Sequence, residues 1–245
     1  MIVGSMFTHN CISQDYCFVQ AINSLLGVCE LVVVLDAEST DGTKEEVAGI
    51  GSSIQLVHSR WNPVVHTGGK WLSELANEAR SYLPQNAFHV CLQADEVLHP
   101  ADYPEIRRLA KIGGQYLCRR FNFWKDGCHI VPAKRIVGHN IVRLGPSNVP
   151  FVADAENLDP KRGSQQSRVR IFHYGFLRKA EAQIAKGKQM EQNFFGTYNP
   201  IYDRMEQEKS RECYNNATDM TGELIPIWVN HPPSMEEWLK ERCPA

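Results

Sequence analysis

The sequence lacks the short patterns that identify several common classes of protein. Its eight cysteines include no CxxC pair, so the usual zinc-ribbon and dithiol redox spacings are absent. No GxGxxG follows a predicted strand, which argues against a dinucleotide-dependent oxidoreductase. The segment around the end of the first strand, MFTHNCISQDY, has no glycine-rich basic phosphate loop, and this argues against a nucleotidyltransferase.

Long apolar runs and an excess of one charge are also missing. No stretch approaches the ~20 consecutive apolar residues of a membrane span. The first residues, MIVGSMFTHN, lack the basic leader of a signal peptide. We therefore expect a cytoplasmic protein whose cysteines stay reduced.

The charge balance opposes a general attraction to nucleic acid. The 26 basic and 28 acidic residues give a net charge of −2. One basic stretch is a candidate for a local groove, with a solvated basic face as the ordinary alternative. Its residues are Lys161, Arg162, Arg168, Arg170, Arg178 and Lys179.

What the chain does have is apolar sequence arranged as alternating strands and helices. Four strand patterns begin near Ile2, Leu31, Ile54 and Phe88, with helix patterns between them. The continuous run LVVVL at 31–35 is typical of a central parallel strand covered on both faces. We predict an α/β fold, a Rossmann-like sheet flanked by helices on both sides. The second half is less regular, with shorter strand patterns and a helix over 177–192.

Acidic residues follow two of these predicted strands. Asp36 comes directly after the run at 31–35, and Asp95 and Glu96 follow the strand at 88–92. Ligands of such sheets lie beyond the carboxyl ends of the strands, so Asp36 and Asp95 should face one crevice. Hard cations such as Mg²⁺ and Mn²⁺ take carboxylate and phosphate oxygens, and Asp95 is the best candidate ligand. Simple strand termination explains Asp95 and Glu96 equally well when they are taken alone.

A helix start is predicted just after the first of these acidic positions. Thr43 and Glu46 have the spacing of a capping box, in which each side chain bonds a free backbone N–H of the first turn. A helix is therefore expected to begin next to the Asp36 turn, with its amino end towards the crevice.

Three segments together resemble one enzyme family. VVVLDAESTDGTKEEV at 32–47 is similar to a V-V-D-x-G-S-T-D-G-T signature, LQADEVL at 92–98 to L-D-A-D-E, and IFHYGFLRK at 171–179 to a late histidine segment. These signatures are those of the family-2 glycosyltransferases, which have the GT-A fold. The resemblance implies a mixed sheet flanked by helices, with a smaller irregular acceptor-side region. It implies a GT-A domain at 1–176, with a nucleotide-sugar half at 1–100 and an acceptor half at 101–176, followed by a helical extension at 177–245.

The resemblance also assigns roles to individual residues. The implied donor-binding residues are Asp36, Ser39, Lys70, Gln93, Ala94 and Asp95. Asp36 would bind the nucleoside, and Asp95 would ligate Mn²⁺ or Mg²⁺ at the donor diphosphate, with His173 as a second ligand or a diphosphate contact. Gln93 departs from the family, which usually has Asp there. Glutamine brings no charge to a metal, although it can hydrogen-bond a ribose or sugar hydroxyl.

Three acidic residues in the second half of the chain are candidates for the general base that deprotonates the acceptor hydroxyl. An inverting transfer needs a carboxylate within hydrogen-bond reach of that hydroxyl. Glu156 lies nearest to where similar enzymes keep a base before their late histidine, and Asp154 is close behind. Asp126 is a third candidate, and a solvated loop acid is the plain alternative for each of them.

The sequence thus predicts a hexosyltransferase that uses a nucleotide-sugar donor, with a UDP-sugar favoured. The acceptor is a surface glycan or, as a minority hypothesis, a hydroxymethylated base of modified phage DNA; compact proteins that resemble this chain occur in bacteria and phages. The alternatives are a non-catalytic nucleotide-sugar-binding protein on a degenerate scaffold, which Gln93 favours, and a nucleotidyltransferase. The donor sugar and the oligomeric state are not readable from the sequence.

Overall fold

The computed structural model describes residues 1–65, 67, 69–132, 140–160, 163–208 and 224–243. Lys161 and Arg162 of the predicted basic stretch, and Cys213, lie outside the described residues. The strands are β1 (Ile2–Thr8), β2 (Leu31–Ala37), β3 (Ile54–Ser59), β4 (Phe88–Cys91), β5 (Glu96–Leu98), β6 (Tyr116–Trp124), β7 (His129–Ile130), β8 (Asn140–Pro146), β9 (Phe151–Val152), β10 (Asn157–Leu158), β11 (Gln165–Phe176) and β12 (Ile225–Pro226). The helices are α1 (Phe18–Leu26), α2 (Thr43–Ile50), α3 (Lys70–Ser81), α4 (Tyr103–Ile112), α5 (Ala180–Met190), α6 (Ile201–Glu208) and α7 (Glu236–Arg242).

The sheet combines a parallel half with an antiparallel half. In the first half the strand order is β4-β1-β2-β3, all parallel and joined through helices. In the second half β8 pairs antiparallel with β4 and with β6, while β11 pairs parallel with β6 and antiparallel with β5. The predicted α/β fold with a mixed sheet is confirmed. Because the chain leaves β1 towards β2 on one side and β4 lies on the other, a crevice opens beyond the ends of β1 and β4.

Helices cover both faces of the parallel half. The side chains of β2 alternate between the faces: Val32 and Val34 pack with α1, while Val33 and Leu35 pack with α3. All four are fully buried. This two-sided burial is why the strand reads as an unbroken apolar run rather than as an alternating one.

The start of α2 differs from the sequence prediction. Gly42, with φ of +92°, occupies the N-cap position, and no side chain caps the helix there. Asp41 instead binds a free backbone N–H of the first turn. Its Oδ1 accepts hydrogen bonds from the Thr43 backbone N–H at 3.1 Å and from the Thr43 hydroxyl at 2.6 Å. The predicted capping box of Thr43 and Glu46 is therefore wrong. A glycine in the left-handed region places Thr43 inside the helix instead of at its cap.

The last described segment packs back onto the main body. Met235 and Trp238 are buried in the same apolar cluster as α1. Tyr174 links β11 to this segment, since its hydroxyl lies 2.9 Å from Nδ1 of His231.

The domain division at residue 176 stays a prediction. Among the described helices, none combines the length and the apolar character that crossing a membrane requires.

Candidate functional site

A cleft of about 690 Å³ opens beyond the carboxyl ends of β1 and β4. Residues that follow β1, the Gln93–Asp95 turn after β4, the loop between β9 and β10, and helix α5 all contribute to its walls. Three groups of side chains in it differ in chemistry: aromatic rings, a basic cluster around one carboxylate, and a pair of loop acids.

Aromatic rings form the wall nearest the end of β2. His9 and Trp61 stack with ring centroids 3.8 Å apart and planes 3° from parallel, and Trp71 meets Trp61 edge-on at 4.5 Å. Nδ1 of His9 lies 2.6 Å from the Ala37 carbonyl oxygen. Burial lowers the pKa of His9 despite this backbone bond and the nearby acids, so the ring is neutral at pH 7 and donates from Nδ1. Flat, half-buried rings of this kind suit stacking of a nucleobase.

Asp36 lies beside this wall as part of the strand-end loops. It is 2% exposed, and its carboxylate accepts hydrogen bonds from the Thr8 hydroxyl at 3.2 Å and from the Ser39 backbone N–H at 3.1 Å. Ser39 in turn accepts from the Asn10 backbone N–H at 2.9 Å. The predicted pair Asp36 and Ser39 thus fixes the loops after β1 and β2 against each other, next to His9.

The basic cluster is built around Asp95. Strand β11 pairs with β5 so that His173 is opposite Glu96, and this register sets the His173 ring beside Asp95. Oδ2 of Asp95 lies 2.7 Å from Nη2 of Arg178, 3.5 Å from Nε2 of His173 and 3.8 Å from Nζ of Lys186. Asp95 is 3% exposed and Arg178 fully buried. The structure therefore unites the predicted pair, Asp95 and His173, together with two cations that the sequence analysis did not place there.

These neighbours decide the charge of Asp95. Burial by itself would raise the pKa of Asp95, but the adjacent basic side chains, His173 foremost, outweigh it and hold that pKa well below its usual range. The carboxylate is ionised across the physiological range. Its charge is therefore available to pair with Arg178 at any pH at which the protein works.

The other residues of the turn after β4 serve different purposes. Ala94 lines the cleft, and Gln93 also lines it, donating from Nε2 to Oε1 of Glu156 at 3.3 Å. Glu96 is fully buried and accepts from Arg120 at 3.0 Å and from Arg143 at 3.1 Å. Burial would raise the pKa of Glu96, and the two arginines lower it instead. Glu96 is thus a structural anion, and Gln93 links the turn to the acidic loop.

The acidic loop between β9 and β10 carries both predicted bases to the cleft. Asp154 and Glu156 line it and are half-buried. Oε2 of Glu156 lies 2.7 Å from Nη1 of Arg120. Ala153 and Ala155, on either side of Asp154, have φ of +54° and +65°, in the left-handed region that side chains disfavour. Backbone strain of this kind concentrates at functional loops.

Two predicted candidates lie elsewhere. Lys70 is exposed on the first turn of α3, pairs with Glu74 at 3.7 Å and is not among the residues that line the cleft, so its donor contact stays a prediction. The next residue, Trp71, faces the cleft, because one helical step turns the side chain by about 100°. Asp126, the third base candidate, instead holds Nδ1 of His129 at 2.8 Å.

Two residues of the predicted basic groove are paired with acids. Arg178 is buried against Asp95, and Arg170 makes a two-nitrogen contact with Asp102, with Nη2 to Oδ1 at 2.9 Å. Arg168 and Lys179 remain exposed on the described part of the stretch. Arg178 and Arg170 are thus engaged within the protein and are not available to a nucleic-acid backbone.

The donor set does not fit the predicted Mn²⁺ or Mg²⁺ ion. No group of three or more His, Cys, Asp or Glu side chains that could hold a metal occurs among the described residues. Asp95 already pairs with Arg178, with Lys186 beside it, while Glu96 is held by its own arginines. A dication at Asp95 would meet two fixed positive charges within the same few ångströms.

No known family is recognised from the sequence, whereas the structure aligns with several solved structures. No protein-family model matches the chain, and no curated protein matches its sequence. S. aureus TarS 1–349 aligns at 12% identity and a TM-score of 0.46, over 89% of this chain and 73% of that one. A protein described as a glucose-1-phosphate thymidylyltransferase from Bacillus anthracis aligns at 11% and 0.47, over 76% and 95%. Glucosyl-3-phosphoglycerate synthase from Mycobacterium tuberculosis, in complex with Mn²⁺, UDP and phosphoglyceric acid, aligns at 21% and 0.35, over 52% and 44%.

Such low identities concern the fold alone. The TM-scores of these alignments are all below 0.5, so they add nothing to the resemblance that the sequence motifs indicate. What this chain binds has to be inferred from the side chains of its own cleft.

Proposed function

We propose that this chain is a glycosyltransferase that moves a sugar from a nucleotide-sugar donor to an acceptor hydroxyl. The observation that carries the proposal is the meeting of three chemistries in one cleft: stacked aromatic rings, cations, and two loop carboxylates. These match the three parts of the reaction, which are a nucleobase to bind, a diphosphate leaving group and a hydroxyl to deprotonate. A UDP-sugar is the favoured donor.

The donor would lie along the cleft from the aromatic wall to the basic cluster. His9 and Trp61 offer a face to the nucleobase, and Asp36 holds the loops that present them. The diphosphate then lies towards Lys186 and His173. This arrangement leaves the anomeric carbon near the acidic loop, where Gln93 is available to a sugar hydroxyl.

Of the two loop acids, Asp154 is the better base. Glu156 is committed to Arg120 and also accepts from Gln93, so its oxygens have partners. Among the described residues, the Asp154 carboxylate accepts a hydrogen bond from the Glu156 backbone N–H at 3.3 Å and forms no ion pair with a side chain. In an inverting transfer, Asp154 takes the proton of the acceptor hydroxyl as its oxygen attacks the anomeric carbon. The bond from that carbon to the diphosphate breaks, and its electron pair leaves with the nucleotide.

A glycan is the acceptor class that suits the surface best. A hydroxymethylated base in DNA would need phosphate contacts, and two of the predicted groove residues, Arg170 and Arg178, are already paired with Asp102 and Asp95. If DNA is the acceptor, binding falls steeply with added salt, because counterions are released. A salt-independent response to glycans and none to DNA is the expected result.

The described cysteines include buried and exposed thiols. Seven are free thiols, and five of these are buried. Burial raises the pKa of the Cys91 and Cys118 thiols to about 12, so both are unreactive. A cytoplasmic location is part of the proposal.

Donor binding tests the proposal directly. The melting temperature of the purified chain is measured with UDP-, GDP-, CMP- and dTDP-sugars, because a ligand of the native state stabilises it by mass action. We expect one nucleotide class to raise the melting temperature, and Trp61→Ala to abolish that rise. Tyr82→Ala, which removes an exposed ring outside the cleft, is the matched control. No response to any nucleotide sugar would overturn the proposal.

Turnover separates the enzyme from the non-catalytic alternative. Slow hydrolysis of the bound donor, with water as the acceptor, is followed by release of free sugar. We expect Asp154→Asn to bind donor normally and to lower the hydrolysis rate by about 10²–10⁴-fold, the usual contribution of a general base. Donor binding with no hydrolysis or transfer by the unaltered chain would favour a binding protein on a degenerate scaffold.

A further inference from the structure

Helix α5 brings one cationic face to the cleft. This helix lines the cleft with Gln183, Lys186, Gly187, Gln189 and Met190, and all but Gln189 have the spacing of a single helical face. Lys188 lies on another face, where its Nζ pairs with Glu206 at 2.8 Å and with Asp203 at 3.4 Å. The helix therefore distinguishes one lysine that faces the cleft from one that serves the packing of α5 against α6.

The two cations at Asp95 occupy different depths. Arg178 is fully buried and its guanidinium carbon lies 3.7 Å from the Tyr16 ring centroid, while Lys186 keeps 24% of its side chain exposed and its Nζ is 5.0 Å from the same ring. Arg178 neutralises the carboxylate from within the protein. Arg178 and Lys186 share the single negative charge of Asp95, so this cluster of three keeps a net positive charge at the cleft and attracts an anion rather than a second cation.

Close backbone approach completes this arrangement. A Cβ added to Gly175 would lie 2.5 Å from Oδ2 of Asp95 and 2.7 Å from Nε2 of His173, distances that real side chains do not occupy. Only glycine lets β11 pass this near to the cluster. Asp95, His173 and the cleft-facing Lys186 are thus held together by backbone as well as by charge.

We propose that Lys186 holds the donor diphosphate directly and that no divalent metal ion takes part. This inference rests on the proposed function. His173 lines the same cleft, with its Nε2 3.5 Å from Oδ2 of Asp95, and its ring is a second contact for a phosphate oxygen. As the bond between the anomeric carbon and the diphosphate breaks, the electron pair stays on the diphosphate. The ammonium of Lys186 stabilises that added negative charge, which is the task that a metal ion performs in other sites.

Binding of nucleoside diphosphates with and without metal tests this inference. UDP, GDP, CDP and dTDP are titrated calorimetrically into the full chain, once in EDTA and once in Mn²⁺. We expect one of them to bind with the same Kd in both buffers. Lys186→Ala should weaken that binding in EDTA by about tenfold or more, as expected for the loss of a charge-assisted hydrogen bond. Lys188→Ala, on the same helix but outside the cleft, should bind normally.

Each other outcome has a distinct meaning. Binding that requires Mn²⁺ would overturn the metal-free diphosphate site and leave the proposed glycosyltransferase function standing. Equal loss of affinity in Lys186→Ala and Lys188→Ala would overturn the role of Lys186, because it would trace the effect to the helix. No binding of any nucleoside diphosphate in either buffer would overturn both the inference and the proposed function.

Discussion

At the scale of single residues, the pair Asp95 and Arg178 shows how one contact changes the interpretation of a motif. A carboxylate at a strand end, next to a histidine, has the composition of a metal site. The same carboxylate paired at 2.7 Å with a buried arginine is a structural anion. The two interpretations differ in what removal of Asp95 does to the stability of the folded chain.

Asp95→Ala should therefore destabilise the fold. It leaves the guanidinium of Arg178 buried without its carboxylate, and breaking a buried pair in this way costs about 3–5 kcal/mol. Glu105→Ala is the control, because its pair with Arg108 lies at the surface and contributes less than about 1 kcal/mol. Urea unfolding of both variants measures the difference. A loss below 1 kcal/mol for Asp95→Ala would mean that Arg178 finds another partner and that the carboxylate is not structural.

At the scale of elements, the loop between β9 and β10 is the clearest case of local strain. Ala153 and Ala155, the residues on either side of Asp154, both adopt a left-handed backbone conformation. Such a conformation costs about 1–2 kcal/mol for a residue with a side chain. The packing of Phe151 and Leu158, both buried, holds the loop ends and sustains this cost.

Replacing Ala153 by glycine should relieve that strain. We expect Ala153→Gly to leave stability unchanged or to raise it by up to about 1 kcal/mol, since glycine adopts positive φ freely. Ala110→Gly, in helix α4, is the matched control and should cost about 1 kcal/mol. Thermal unfolding compares the two. If both substitutions destabilise equally, the loop is not strained in solution. The same Ala153 variant should lower donor hydrolysis, because Asp154 is then less firmly held.

Elements were predictable where the sequence pattern is local. The apolar run of β2 and the acids that follow β2 and β4 could be predicted from the sequence, because each pattern is formed by residues that are adjacent in the chain. The start of α2 was assigned to Thr43 because the capping pattern is also local, although Gly42 takes that position. The contacts of Trp61 with His9 and of Arg178 with Asp95 were not predicted, because the two partners of each pair lie far apart in the sequence. Only the folded sheet brings such pairs together, and with them the charge of the site.

At the scale of the whole molecule, buried histidines set how stability responds to acid. His89 is fully buried on β4, with Nε2 2.7 Å from the Ser5 hydroxyl oxygen. Burial, reinforced by the nearby Arg80 and Arg143, lowers the pKa of His89 to about 3. Burial lowers the pKa of His9, His99 and His231 as well. The folded chain thus keeps these rings neutral at a pH where the unfolded chain protonates them.

Stability should consequently decline as the pH falls below about 6.5, the ordinary pKa of histidine. Between there and about pH 3 the unfolded state binds a proton at His89 that the folded state refuses, so this residue alone removes up to about 1.4 kcal/mol per pH unit. Urea unfolding from pH 7 to pH 4.5 measures the slope. His89→Gln, which cannot titrate, should be less stable at pH 7 yet show a slope shallower by about that amount. An unaltered slope in His89→Gln would mean that His89 is already protonated or exposed in the folded state, and the acid sensitivity would then belong to the other histidines.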